Sequence, residues 1–146
     1  MRRMLGLYVG QRRIGVAVSE GSVAVPLTII DHESRNADIE RILDVARERD
    51  AGAIVVGLPL TMSGEEREQA KRTRAFGDAL AERAPMPVVY HDERLSTAQV
   101  AGSAGRRDRA RDPSAVHPAR RRKVRVDDLA AAVILQSYLD AHPEPA

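Results

Sequence analysis

Short apolar runs separated by turn residues fill the first part of the chain. Residues 4–9 (Met4-Leu5-Gly6-Leu7-Tyr8-Val9) and 14–18 (Ile14-Gly15-Val16-Ala17-Val18) flank Gly10-Gln11-Arg12-Arg13, a pattern that predicts a hairpin with a short turn. A third run, 23–30, is strand-like in spite of Pro26, whose missing N–H suits an edge strand. The period then changes. Ile39, Ile42, Leu43 and Ala46 recur at helical spacing within 38–50, with Asn36 as the expected cap and Gly52 as the expected stop. Residues 53–59 are continuously apolar, as expected of a strand covered on both faces, and the step from helix to strand favours parallel addition. A turn-rich loop over 57–64 leads to a polar helix over 65–83 and a fifth strand over 87–91. A short helix capped by Ser96 or Thr97 is expected next. An Ala-rich helix over 127–139 closes the chain, with Leu129, Ala132, Val133 and Gln136 on one face and Pro143 beyond its end. The expected order is β-β-β-α-β-α-β-α-α, an α/β fold without internal repeats.

The length of 146 residues is enough for one sizeable core, so a single domain over about 1–142 is expected. Aromatic residues make up only 3% and Trp is absent, which leaves packing to Leu, Ile, Val and Ala. With no cysteine, disulfides, thiolate zinc sites and a cysteine nucleophile are excluded. The longest apolar run, 129–135, is far short of the ~20 residues that span a bilayer, and no secretory segment is recognisable, so the expected location is cytoplasmic. The net charge of +2 conceals an asymmetry. Residues 105–125 hold nine basic side chains against Asp108 and Asp112, a local charge of +7 on a body of −5. Arginine presents planar, bidentate donors to phosphate, so this stretch points to a polyanion, a solvated charged loop being the competing reading. Periodicity is absent over 105–123, and a mobile loop is expected there.

In open α/β sheets ligands collect at the carboxyl ends of strands, which singles out Glu93 beyond the fifth strand and Asp127 at the start of the last helix. Asp92 should face away from Glu93 along an extended chain. The plainer readings are an ion pair of Glu93 with Arg94, and helix-dipole compensation by Asp127 and Asp128. Taken together, two carboxylates beside an Arg-rich loop describe a site for Mg²⁺ or Mn²⁺ facing a phosphodiester, because such an ion needs only one or two protein carboxylates. Other chemistries find less support. His32, His91, His117 and His142 are scattered with no i, i+4 pair, and Ser19, Ser22, Ser96 and Ser103 have no His beside them in sequence. The glycines at 6, 10, 57 and 64 do not form a loop ending in Lys-Ser/Thr, so a Walker-type NTPase is not indicated.

Five segments in order then carry a family resemblance: Leu5-Gly6-Leu7-Tyr8-Val9-Gly10, Arg13-Ile14-Gly15-Val16-Ala17-Val18-Ser19, Val55-Val56-Gly57-Leu58-Pro59-Leu60, Asp92-Glu93-Arg94-Leu95-Ser96-Thr97, and the stretch from Asp127 to Gln136. Together they resemble the YqgF family, the Holliday-junction-resolvase-like nucleases. The resemblance implies a ribonuclease H-like fold, a five-stranded mixed sheet whose first three strands are antiparallel, with helices on both faces. It implies a bacterial cytoplasmic nuclease of precursor small-subunit ribosomal RNA or of four-way DNA junctions, with Glu93 and Asp127 as catalytic, metal-holding residues. Its third acidic residue, an aspartate in the first strand, is Tyr8 here, where a phenol of pKa ~10 is a poor ligand for a hard cation. Glu65 after Gly64 and the density of Arg in 105–123 also depart from the family's pattern.

Two readings follow. One is a metal-dependent nuclease in which Arg13, Arg94, Arg106, Arg107, Arg120, Arg121, Arg122 and Lys123 contact nucleic acid. The other is a nucleic-acid-binding protein of the same fold, weakened or inactive because of Tyr8. A third, from the glycine-bearing first hairpin, is likeness to actin-like sugar kinases and ATPases, but those need two such lobes and this length supplies one. The partners these readings imply are nucleic acid, either RNA or branched DNA, and a second copy of the chain in a homodimer.

Overall fold

The computed structural model describes residues 2–93 and 126–143. Its elements run β1 (Arg3–Val9), β2 (Arg13–Glu20), β3 (Val23–Asp31), α1 (Arg35–Glu48), β4 (Ala51–Leu58), α2 (Glu68–Arg83), β5 (Val88–Asp92) and, after the undescribed stretch, α3 (Val126–Ala141). One five-stranded sheet has the order β3-β2-β1-β4-β5. The β1–β2 and β2–β3 pairs are antiparallel, and β4 and β5 add in parallel, as the helix-then-strand steps predicted. The first turn is closed by the Gly10 N–H donating to the Arg13 carbonyl at 2.9 Å. Pro26 lies on edge strand β3, opposite a register shift between Val16 and Ala17. The short helix expected from Ser96 or Thr97 and the loop over 105–123 fall outside the described residues.

The period-two alternation of the strands divides the core in two. Leu5 and Leu7 of β1, Ile14, Val16 and Val18 of β2, and Ile54 and Val56 of β4 face α1 and α2, where they meet Ile39, Ile42, Phe76 and Leu80. The intervening residues Ala17 and Val55 face α3, against Ala131, Ile134 and Leu135. Fully burying such an aliphatic side chain is worth about 1.5–3 kcal/mol, so both layers contribute to stability even with so few aromatics.

Two helix boundaries differ from expectation. Ser34, not Asn36, caps α1: its Oγ accepts from the Ala37 N–H at 3.1 Å, and Asn36 is already the second helical residue. The helix ends before Asp50, whose φ of 54° turns the chain, whereas Gly52 lies inside β4. Aspartate tolerates this left-handed backbone better than most residues, so no glycine is required.

The buried face of α3 also differs. Of Leu129, Ala132, Val133 and Gln136, only Ala132 is buried, and Leu129 is 42% exposed. The face against the sheet is Asp128, Ala131, Ala132, Ile134, Leu135 and Ser137. Gln136 is instead a polar tie, accepting from the Ala24 N–H at 2.9 Å and donating to the Ser22 carbonyl at 3.0 Å. A buried contact of 2.8 Å between His91 Nε2 and Ser137 Oγ joins β5 to the same helix, and burial pushes the His91 pKa below its ordinary value. That Ser–His pair, which the spacing of residues did not suggest, is enclosed and serves as a tether.

Candidate active site

Small residues on the α3 face of the sheet let this helix approach its backbone. A methyl group at Gly6 would meet Leu135 Cβ at 2.6 Å, and one at Gly15 would lie 1.9 Å from the Asp127 carbonyl oxygen. Gly15 therefore sets where the first turn of α3 rests. A methyl group at Gly57 would lie 2.4 Å from Ile134 Cδ1 and 2.8 Å from Glu93 Oε1, so the carboxylate that follows β5 sits over the end of β4. Gly57, expected in a turn-rich loop, thus acts with Gly6 and Gly15 mainly by permitting close packing. The visible signal was their alternation with large apolar residues in β1, β2 and β4.

Tyr8 lies between these two approaches. It pairs with Gly15 across β1 and β2, and its side chain packs on the α3 side of the sheet, opposite to Leu5 and Leu7. Burial, then the charge of Glu93, then that of Asp127 raise its pKa. The phenol therefore keeps its proton at neutral pH and offers a neutral oxygen where both carboxylates act. Glu93 is perturbed too: burial first, and the adjacent charge of Asp92 second, push it up to about 7. Asp128 is buried, and its Oδ1 has no hydrogen-bond partner among the described residues. Glu93 and Asp127, named from strand-end and helix-start positions, and Tyr8, named from the family resemblance, are thus brought together at the carboxyl edge of the parallel strands.

The expected basic contacts are mostly beyond view. Arg94, Arg106, Arg107, Arg120, Arg121, Arg122 and Lys123 lie outside the described residues, as does the proposed Glu93–Arg94 pair. Arg13 opens β2 at the same sheet edge and lies 3.6 Å from Asp31, an exposed pair. Among the described residues no three His, Asp or Glu side chains cluster as metal ligands. No described helix is long and apolar enough to cross a membrane.

Residues 2–141 match the family model RuvX, described as a Holliday junction resolvase. The chain belongs to the RuvX family. Curated relatives agree over nearly the whole length. A protein of Anaeromyxobacter sp. (strain Fw109-5) named "Putative pre-16S rRNA nuclease" is 42% identical over 140 residues, 94% of this chain and 96% of its own. One of the same name from Chloroflexus aggregans is 42% identical over 144 residues, covering 97% and 96%. RuvX membership makes this chain one of a family of hydrolases acting on nucleic acid.

Solved structures agree on the fold. Thermus thermophilus RuvC in complex with a Holliday junction substrate superimposes with a TM-score of 0.57 over 97% of this chain and 95% of that one, at 17% identity. The fowlpox virus Holliday junction resolvase gives 0.57 over 95% and 99%, at 10% identity. At such identities the likeness establishes a ribonuclease H-like fold and nothing about individual side chains.

Proposed function

We propose that this RuvX-family chain is a divalent-metal-dependent nuclease of structured nucleic acid, either precursor 16S ribosomal RNA or branched DNA, and that Tyr8 lowers its metal affinity and rate. The observation that carries this reading is the convergence at the carboxyl edge of the sheet of Glu93, over the end of β4 at Gly57, and the first turn of α3 at Asp127, resting on Gly15, the cross-strand partner of Tyr8. The donor set fits a hard cation: two carboxylates suffice for Mg²⁺ or Mn²⁺ when substrate phosphate and water complete the shell. Glu93 supports the fit further, since its carboxylate is half-enclosed beside the charge of Asp92 and a cation would relieve both burdens. Glu93 and Asp127 would hold the ion, which when bound supplies charge neutralisation at the phosphate and a more acidic water.

The protein's own groups have definable parts. Below about pH 7 the Glu93 carboxyl holds a proton, which it must release to act as a ligand. Tyr8 Oη, kept protonated by burial and by its two anionic neighbours, is a neutral donor toward a phosphate oxygen. It takes the place of a third carboxylate without supplying its charge. That substitution favours the second reading, a binding protein of the same fold with little cleavage.

The test is cleavage of a precursor 16S rRNA end fragment and of a four-way DNA junction with Mg²⁺ or Mn²⁺, alongside binding measured in chelator. Metal-dependent cleavage lost in both Glu93→Gln and Asp127→Asn supports the nuclease. Equal cleavage by the parent and both variants removes the site, and tight binding without cleavage selects the second reading.

A further inference from the structure

On the opposite face of the sheet a concavity of about 400 Å³ abuts the same edge. It lies between the first turns of α1 and α2. Its lining includes Val9 and Gly10 of the β1 turn, His32, Arg35 and Asp38 at the start of α1, and Arg72 and Thr73 of α2. Gly10 joins it to the candidate site, because a methyl group there would lie 3.4 Å from Tyr8 Cε2.

The polar groups of this pocket are arranged for an anion. Asp38 is buried, and both of its oxygens are engaged: Oδ1 accepts from the Glu33 N–H at 3.1 Å and Oδ2 lies 2.6 Å from His32 Nδ1. Its carboxylate is therefore held by groups of the protein itself, and the half-exposed His32 ring turns Nδ1 toward it. Arg35 and Arg72 are exposed and, like Arg12 and Arg49, form no ion pair with any described residue, whereas Arg2, Arg3, Arg13, Arg41, Arg47, Arg67, Arg74 and Arg83 all do. Arg72 is steadied by Gln69, which accepts from its Nη2 at 3.1 Å and donates through Nε2 to the Val9 carbonyl at 3.2 Å. Thr73 is 1% exposed, and its hydroxyl has no partner among the described residues. No side chain caps α2, so the dipole of this 16-residue helix adds positive potential at the same place.

We propose that this pocket is a phosphate subsite, in which Arg35 and Arg72 hold a backbone phosphate flanking the linkage presented to Glu93 and Asp127. The proposal rests on the nuclease reading above. Two unpaired guanidiniums, one fixed by Gln69 to the carbonyl that follows Tyr8, give a strand crossing the sheet edge a second point of attachment. This attachment fixes its register without reading its bases.

The double variant Arg35→Gln/Arg72→Gln tests it, with Arg47→Gln/Arg49→Gln at the far end of α1 as a control of equal charge loss. Both pairs are on the surface, so the fold should survive. Binding of a four-way DNA junction and of a hairpin RNA is followed by fluorescence anisotropy in EDTA across a range of salt. The pocket variant should bind about tenfold more weakly, with a log–log salt slope shallower by about one to two, and the control should match the parent. If pocket variant and parent give the same affinity and slope, or if the control falls as far as the pocket variant, the subsite is overturned while the nuclease reading stands. A parent that binds neither nucleic acid overturns both, and its own isotherm distinguishes that outcome.

Discussion

Replacing Glu93 by Gln keeps the side chain's shape and removes its charge, and the consequence for stability can be worked through with its sign. The carboxyl titrates at about 7 in the folded chain against an ordinary value of 4.5, with burial the larger cause and Asp92 the smaller. Between about pH 4.5 and 7 the folded chain keeps a proton that the unfolded chain has released. Stability therefore falls as pH rises through that window and is fully reduced above it. At about 1.36 kcal/mol per pH unit the penalty is roughly 3 kcal/mol, and partial solvent contact lowers it to about 2 kcal/mol. Glu93→Gln escapes this penalty. In EDTA the variant should equal the parent near pH 4 and exceed it by about 2 kcal/mol at pH 8, measured by urea unfolding followed by circular dichroism. Mn²⁺ should then stabilise the parent and leave the variant unchanged. Parallel stability curves from pH 4 to 8, or a parent more stable than the variant at pH 8, would refute the reasoning.

Gly15→Ala should cost about 1–3 kcal/mol in urea unfolding and abolish cleavage, because its methyl group meets the Asp127 carbonyl at 1.9 Å and backbone cannot yield as a side-chain end can. A Gly15→Ala protein with parental stability and activity would show that α3 does not depend on this approach. Tyr8→Asp should bind Mn²⁺ at least about tenfold more tightly by titration calorimetry and cleave faster, since it raises the carboxylates at the site from two to three. No gain in either would reassign Tyr8 as a packing residue. Ser34→Ala should destabilise the chain by about 1 kcal/mol through loss of the α1 cap, and an unchanged denaturation midpoint would contradict that role.

Much of the architecture was legible because the alternation in β1, β2 and β4 separates the two core layers directly, and because Pro26 marks an edge. The orientation of α3 was not. Residues 129–135 are apolar almost all round, so a period of 3.6 cannot choose a face, and the choice is made by Gly6, Gly15 and Gly57 on other strands. Such complementarity is a property of two surfaces and shows in neither alone. Glu93 and Asp127 could be named from their places at a strand end and a helix start, but the enclosure that perturbs Glu93 arises only once α3 has docked. The pocket beside Asp38 was hidden for a similar reason: His32 and Asp38 are six residues apart, and Arg72 and Thr73 come from another helix. The cap was missed because Ser34 and Asn36 both suit that position, and two residues decide which amides are left over.

The assignment of the site is tested most directly by anomalous diffraction from crystals of the chain soaked in Mn²⁺. An ion bonded to carboxylate oxygens of both Glu93 and Asp127, beside Tyr8 Oη, is the expected result, with a stronger peak in Tyr8→Asp at the same Mn²⁺ concentration. At Mn²⁺ concentrations that saturate other sites in the crystal, the absence of an ion between those two carboxylates would contradict it.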